Sequence, residues 1–415
     1  MKIKLLFAGT SPTYFCLPLI RELLNTGNFE IGILEFWNPG SKDPGIDGVD
    51  YYYFPGLDSY NAMNIIKAFF SKRFYSALVQ QFNYRDQVHS NTLLKKVTRP
   101  LRIYNSQEIA RKIFRKYNTI SWHDLVPNYA NFYKVIPEST RVISSTYSND
   151  LFATTGKFGY SLLFDILQRS DIITCQRKFL KDIMLIKFGK LLEPKIKIIT
   201  YGIPDEVFGL IDNTRQSEKI RMFMERYNIP SGKIKVMVGY SADRLHNTLD
   251  IIRELSKLDP IVMKRIFLLF PMSYGPDKEL RNEVVEVMKS VDIEYKILEG
   301  WLTNEEIACL RLITDVVPFI PFDDGFSATL TETLYAGSIV ISGSWLNYYE
   351  LNIAGITYFQ VNEPGEITSR MEIIIRDFEK NKSRMNENAE KIRMLTSFNS
   401  MKQGWIEILS GINRT

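Results

Sequence analysis

A chain of 415 residues is longer than a single hydrophobic core usually serves, so two domains are expected. With 45% hydrophobic and 24% charged residues, no low-complexity tract, no internal repeat and no apolar run of 18 residues, the composition excludes disordered, fibrous, solenoid and membrane-spanning classes. The net charge of +5 is unevenly spread: residues 1–200 carry 27 Lys and Arg against 16 Asp and Glu, and the remainder carries 25 against 31.

The chain opens on KIKLLFAGTSP, which reads as a first strand and lacks the features of a signal peptide. A cytoplasmic protein is expected. EIGILEF follows as a second strand, and residues 61–116 then concentrate the positive charge. Twelve bases (Lys67, Lys72, Arg73, Arg85, Lys95, Lys96, Arg99, Arg102, Arg111, Lys112, Arg115 and Lys116) meet only Asp86 and Glu108 there. In NAMNIIKAFFSKRFYSALV, Ile66, Phe69, Phe70 and Phe74 follow helical spacing beside Lys67, Lys72 and Arg73, and IARKIFRKY repeats the scheme around Ile109 and Ile113. Such helices suit an anionic membrane surface, which would place the protein peripherally on the inner face of the cell membrane. Ordinary packing helices with solvated basic faces carry the same pattern. No nucleic-acid recognition motif accompanies the charge, so a nucleic-acid partner is not expected.

Further strands are read at TISWHD, RVISSTY, IITC and KIKIITYG, alternating with helical segments. A break falls near residue 205, in YGIPDEVFGLIDNTRQSEKIR, and a second series follows: IKVMVGYS, RIFLLFPM, YKILEG, VVPFIPF, SIVISG and ITYFQV. Alternation of this kind predicts an α/β protein with two doubly wound parallel sheets, each covered by helices. Domains are expected at 1–204 and 205–397, with a final helix in 398–415 returning to the first domain. Cys16, Cys175 and Cys309 stand alone in apolar surroundings and read as buried thiols.

Open parallel sheets bind ligands at the carboxyl ends of their strands. The polar residues there are Gly9-Thr10-Ser11, His123-Asp124 and Ser148-Asn149-Asp150 in the first half, then Ser241 to Asn247, Ser273-Tyr274-Gly275, Gly300-Trp301 and Asp323 to Ser327 in the second. They are expected to converge on one cleft. His123 could serve a substrate hydroxyl or a polar transition state, although a lone strand-end histidine is often structural. Asp150 could accept from a sugar hydroxyl or cap a turn. In GYSADRLHN, a glycine turn places Arg244 just before a helix starting near Asn247 or Thr248, where a guanidinium fork and free N–H groups suit a diphosphate, with His246 assisting.

In DDGFSATLTETLYAGSIVISG, the pattern predicts a loop at Asp324-Gly325-Phe326, a helix from Ser327 to Ala336 stopped by Gly337, and a buried strand. At about 100° per residue, Leu330 and Leu334 face a core while Glu332 projects on the opposite side, over small neighbours. Glu332 is therefore expected on a shallow surface open to a nucleotide, or simply to solvent. No metal site is expected, because Asp323-Asp324 is the only adjacent carboxylate pair near the cleft and no histidine joins it. Neither a Walker loop nor G-x-G-x-x-G is present.

The run D-G-F-S-A-T-L-T-E followed by L-Y-A-G-S-I-V-I-S, with Arg244 after the first strand of the second domain, resembles the retaining E-x7-E class of GT-B glycosyltransferases. VGYSADRLHN, LFPMSYGPDKEL and the segment from His123 to SNDLF are similar to the TDP-4-acetamidofucose:lipid-linked saccharide transferases. The resemblance implies two Rossmann-like domains facing across a cleft and no cofactor beyond a UDP- or TDP-linked sugar donor. It further implies that Glu332 binds the ribose and Asp324 lies by the donor sugar. Arg244, His246, Tyr274, Gly325, Phe326 and Ser327 would hold the donor, and His123 and Asp150 would face sugar and acceptor. The implied activity is metal-independent, retaining hexosyl transfer to a saccharide or lipid-linked acceptor in cell-surface polysaccharide assembly. Asp324 in place of the usual Glu, and the missing second base beyond Arg244, keep a non-catalytic partner subunit open. A nucleotide-sugar 2-epimerase shares the fold and is a further alternative.

Overall fold

The computed structural model describes residues 2–9, 16–35, 45–53, 62–83, 93–123, 125, 131–152, 156–273, 275 and 277–411. The chain divides into two units, the first comprising Met1–Gln176, Leu180–Tyr201 and Lys402–Thr415 and the second Arg177–Phe179 and Gly202–Met401.

The first unit is built on a seven-stranded sheet in the order β3-β2-β1-β4-β5-β6-β7. Its strands are β1 (Ile3–Ala8), β2 (Phe29–Glu35), β3 (Val49–Tyr53), β4 (Thr119–His123), β5 (Arg141–Thr146), β6 (Ile172–Cys175) and β7 (Ile196–Ile198). Every pairing is parallel. Sequence patterning found six of these strands and missed β3. VDYYY has no apolar run because it is an edge strand, whose polar and half-buried residues need only one covered flank. The last helix, Phe398–Ser410, buries Trp405 in this unit. The indole stacks on Tyr201 at 4.5 Å and donates to the Thr200 carbonyl at 2.7 Å, and Arg141 donates to the carbonyls of Ile408 and Leu409.

The second unit holds a six-stranded parallel sheet in the order β10-β9-β8-β11-β12-β13. These strands are β8 (Ile234–Met237), β9 (Ile266–Pro271), β10 (Tyr295–Leu298), β11 (Val316–Phe319), β12 (Ile339–Gly343) and β13 (Phe359–Val361). Helices bury both faces, so successive side chains enter two different cores. In β12, Ile339 and Ile341 join one and Val340 the other. That is why IVI stands as an unbroken apolar run within SIVIS, each buried Ile or Val contributing roughly 1.5–3 kcal/mol. In each sheet the strand order reverses once, between β1 and β4 and between β8 and β11, which is where doubly wound sheets open a crevice for ligands.

The two basic segments separate in the structure. Residues 109–116 lie at the end of helix Leu93–Phe114 and just beyond it, where Ala110, Ile113 and Phe114 are buried in the first core, so this is an ordinary packing helix. The earlier segment is broken into two helices, Ala62–Ala68 and Lys72–Asn83, with Phe69 and Phe70 in the turn between them. Phe74 is buried there, whereas Ile66, Phe69 and Phe70 are exposed, Phe70 to 88%. Among the described residues, no helix is long and apolar enough to cross a membrane. Cys16, Cys175 and Cys309 are buried and not joined in disulfides.

Candidate functional site

At the β8–β11 reversal, two loops are fastened together. After β8 the chain turns at Gly239, whose φ of +68° favours glycine and where a Cβ would lie 2.9 Å from Thr248 Oγ1. A 3₁₀ turn at Arg244–His246 follows, and Asn247, left-handed at φ 55°, begins the helix Thr248–Leu255. The Asn247 amide donates to the Ile320 carbonyl at 2.7 Å, and Phe322 N–H donates to the Leu245 carbonyl at 3.1 Å. Thus the loop after β8 is pinned to the end of β11.

His246 is buried in this loop, with Nε2 2.8 Å from Ser241 Oγ and its ring against Tyr240. Burial pushes its pKa down to about 4, so the imidazole is neutral at ordinary pH. Among the described residues, its Nδ1 and the hydroxyl of Thr248 are buried without a hydrogen-bond partner. Two unsatisfied polar atoms beside a glycine turn and a helix N-terminus form a place for a polar ligand. Arg244 is engaged elsewhere. Its half-exposed guanidinium meets Asp277 at 2.6 Å and Glu283 at 2.5 Å, so the expected diphosphate clamp carries two carboxylates of its own. Tyr274, also expected at the donor, lies outside the described residues, as do Thr10, Ser11 and Asp124.

Beside this loop, at the ends of β8, β9 and β10, is a half-open pocket of about 70 Å³. Tyr240, Trp301, Leu302, Ile307, Leu310 and Arg311 wall it, with Pro271 and Ser273. Trp301 follows the Gly300 turn and is 80% exposed, while the Tyr240 ring lies parallel to Phe319 at 6.0 Å. A flat apolar slot with one cationic wall suits an aromatic ring bearing polar groups.

Arg311 leads from this slot to Glu332. The helix Ala328–Ala336 ends, as its sequence predicts, at Gly337 with φ 90°. The expectation of an open Glu332 is corrected, however: the helix is buried on every side from Thr329 to Ala336, and Glu332 with it. The reason is Arg311, from helix Asn304–Ile313, which lies over that face. Its Nε donates to Glu332 Oε2 at 3.0 Å and its second fork arm to Thr329 Oγ1 at 3.1 Å, with Met237 Sδ at 3.7 Å. Removing either member of such a buried pair costs about 3–5 kcal/mol.

The loop before this helix is equally constrained. Asp324 is buried, and its Oδ2 accepts from Ser327 N–H at 2.9 Å and from Tyr348 OH at 2.8 Å. Burial raises its pKa, opposed by nearby Arg177. Arg177 is itself fully buried, donates to the main-chain carbonyls of Asp324 and Leu346, and lies 4.8 Å over the Tyr348 ring. Phe326 is held at φ 137°, a conformation costly for a bulky residue and of a kind that gathers at ligand sites. Asp324 therefore organises Gly325, Phe326 and Ser327 more directly than it offers itself to a sugar.

In the first unit, His123 ends β4 but is wholly buried, so a role in contact with substrate is not supported by its surroundings. Nδ1 lies 2.7 Å from Tyr201 OH and 3.2 Å from Tyr147 OH, and Nε2 lies 3.0 Å from Ser121 Oγ. Burial lowers its pKa to about 3. Gly9, opposite, has φ +91° and leaves no room for a Cβ against the His123 carbonyl. Asp150 is buried in the first turn of helix Ser148–Phe152, where Oδ2 accepts from Tyr147 N–H at 3.1 Å, the capping role foreseen as its alternative.

Arg311, Tyr240, Arg177 and Tyr348 were not singled out from sequence, and Trp301 was named only as part of the strand-end pair Gly300-Trp301. Arg311 left a signal: ACLRLI places one arginine among apolar neighbours, as TLTETLY places one glutamate, and two such singletons in buried helices call for each other.

No protein-family model matches this chain, and no curated protein matches it. Solved structures do match. A glycosyltransferase from Rickettsia africae superposes with a TM-score of 0.67 at 15% identity, covering 100% of this chain and 99% of that one. HepE from Anabaena, in complex with UDP and glucose, gives 0.66 at 13% identity over 99% and 100% of the two chains. Sucrose-phosphate synthase from Thermosynechococcus elongatus gives 0.67 at 12% identity over 99% of each. With its two parallel sheets, the chain has the GT-B fold.

Proposed function

We propose that the protein is a glycosyltransferase. It takes a hexosyl group from a UDP- or TDP-linked donor and passes it to a saccharide or lipid-linked acceptor in cell-surface glycan assembly, with retention and without a metal. One observation carries this reading: the aromatic slot at the ends of β8 to β10 shares Arg311 with the buried carboxylate of Glu332. The UDP and glucose held by HepE support a uridine donor.

The base enters between Tyr240 and Trp301, and the ribose hydroxyls reach Glu332. The diphosphate then falls at the Gly239 turn, where His246 Nδ1, Thr248 Oγ1 and the N–H groups opening helix Thr248–Leu255 supply fixed donors. Charge grows on the leaving diphosphate in the transition state, so donors already in place lower the barrier. Asp324 acts at one remove by fixing the Gly325–Ser327 main chain at the sugar, and His123 and Asp150 hold the strand ends of the first unit. The lipid-linked acceptor is proposed together with peripheral membrane attachment through the Phe69-Phe70 turn.

A non-catalytic nucleotide-binding or partner-binding subunit is the second reading, favoured by the pairing of Arg244 with Asp277 and Glu283 and by the closed surroundings of His123. Donor turnover separates the two. The first test is thermal unfolding with UDP, TDP, GDP, ADP and CMP, on the wild type and on Glu332→Gln, which keeps the shape of the buried pair. A nucleotide at about 100 times its Kd adds roughly 2.7 kcal/mol, a shift of a few degrees. One nucleotide shifting the wild type but not Glu332→Gln is the expected result. If none shifts the wild type, the transferase reading falls and the subunit reading replaces it.

A further inference from the structure

Glu332 does not stand alone in its helix, and this bears on how it could read a ribose. A carboxylate on a flexible side chain can accept from a vicinal diol in many geometries, and rotational freedom lowers both affinity and selectivity. Here the side chain is buried, and the arginine that holds it is buried too. The hold is directional: Nε takes one carboxylate oxygen, another arm of the same planar fork takes Thr329 Oγ1 on the same helix, and the third nitrogen rests on Met237 Sδ. Three anchors on one guanidinium fix its plane, and a fixed guanidinium plane fixes the carboxylate. Arg311 also forms part of the wall of the aromatic slot. The base and ribose positions therefore share one rigid element.

We propose that Arg311 is a positioning residue for nucleotide recognition, setting the angle at which Glu332 meets the ribose diol and its distance from the base slot. The proposal rests on the nucleotide-sugar reading given above. A lysine supplies the charge but not the fork, so charge alone does not replace it. Thr329 shares the role, because its hydroxyl holds the second arm of the guanidinium.

The test is isothermal titration of the full chain with UDP and with 2′,3′-dideoxy-UDP, on the wild type, Arg311→Lys and Thr329→Val. The wild type is expected to favour UDP by about tenfold or more, the size of a hydrogen bond to a charged group. Thr329→Val should lose UDP affinity severalfold while keeping its affinity for the dideoxy analogue, and Arg311→Lys, which also alters the slot wall, should lose more affinity for UDP than for the analogue, so that in both the ratio shrinks towards one. A purely structural role predicts otherwise: both ligands weaken together and the ratio survives, which overturns the proposal. Circular dichroism establishes that each variant is folded. Should Arg311→Lys not fold, Thr329→Val decides, since it leaves the ion pair intact. A wild type that binds both ligands equally overturns this inference and leaves the nucleotide reading standing. A wild type that binds no UDP removes this inference, and the nucleotide reading falls with it only if TDP, GDP, ADP and CMP also leave the melting temperature unchanged.

Discussion

Burial of His123 sets a pH dependence that can be signed. Its folded pKa is lowered to about 3 by desolvation, against 6.5 for the free side chain. Between those values the unfolded chain binds a proton that the folded chain refuses. The stability from a neutral His123 is thus fully present above pH 6.5 and is lost as pH falls towards 3, by up to about 1.4 kcal/mol per pH unit. His246, lowered to about 4, adds the same sign over a narrower window in the second unit. Urea unfolding of the wild type and of His123→Gln at pH 7.5 and 5.5 checks this. The variant should be less stable at pH 7.5, having lost the bonds to Tyr201 and Ser121, yet should lose less on acidification. Equal acid sensitivity in the two proteins would falsify the account. A histidine in SWHD is easily placed at a strand end from sequence. That both ring nitrogens are already satisfied by side chains 78 and 2 residues away is tertiary information.

Among the elements of the second unit, two glycines isolate backbone conformation from ligand binding. Gly337 ends the helix Ala328–Ala336 at φ 90° with open space around a would-be Cβ, whereas at Gly239 a Cβ would crowd Thr248 Oγ1 at 2.9 Å. Gly337→Ala and Gly239→Ala should each cost about 1 kcal/mol or more, since alanine resists positive φ. Only Gly239→Ala should abolish the nucleotide-induced rise in melting temperature, because only there does the methyl group enter the proposed diphosphate position. If both variants keep that rise, the diphosphate lies elsewhere. These turns were legible in AGSIV and VGYS, as were twelve of the thirteen strands among the described residues, because continuous apolar runs and glycine stops are local signals. Edge strand β3 was not, and neither was the burial of Glu332. Helical geometry placed that carboxylate opposite Leu330 and Leu334, but only tertiary packing could bring Arg311 over it, from 21 residues earlier in the chain.

For the whole molecule, the uneven charge acquires a specific location. Of the two basic segments read from sequence, residues 109–116 spend their apolar side on the first core, leaving the segment around Phe69-Phe70 as the stronger membrane candidate. Phe70 is 88% exposed and Phe69 49%, with Lys67 and Lys72 exposed on either side of the turn. Sequence periodicity grouped Phe69 and Phe70 with Phe74 on one continuous helix. The break at Ser71 instead turns the first two outwards while Phe74 is buried with Ala68 and Tyr104. An aromatic tip flanked by lysines combines apolar insertion with attraction to anionic lipid, the latter worth about 1 kcal/mol per lysine near the surface. The protein should therefore sediment with phosphatidylglycerol vesicles more than with phosphatidylcholine vesicles, and raising salt from about 0.1 M to about 1 M should weaken the binding. Lys67→Ala combined with Lys72→Ala should cost about 2 kcal/mol of binding, close to thirtyfold. Phe70→Ser should weaken binding to anionic vesicles without lowering the melting temperature, since so exposed a ring contributes little to the core. Absence of binding at low salt, or binding indifferent to both lysines and Phe70, would remove membrane attachment and leave a soluble saccharide as the better acceptor.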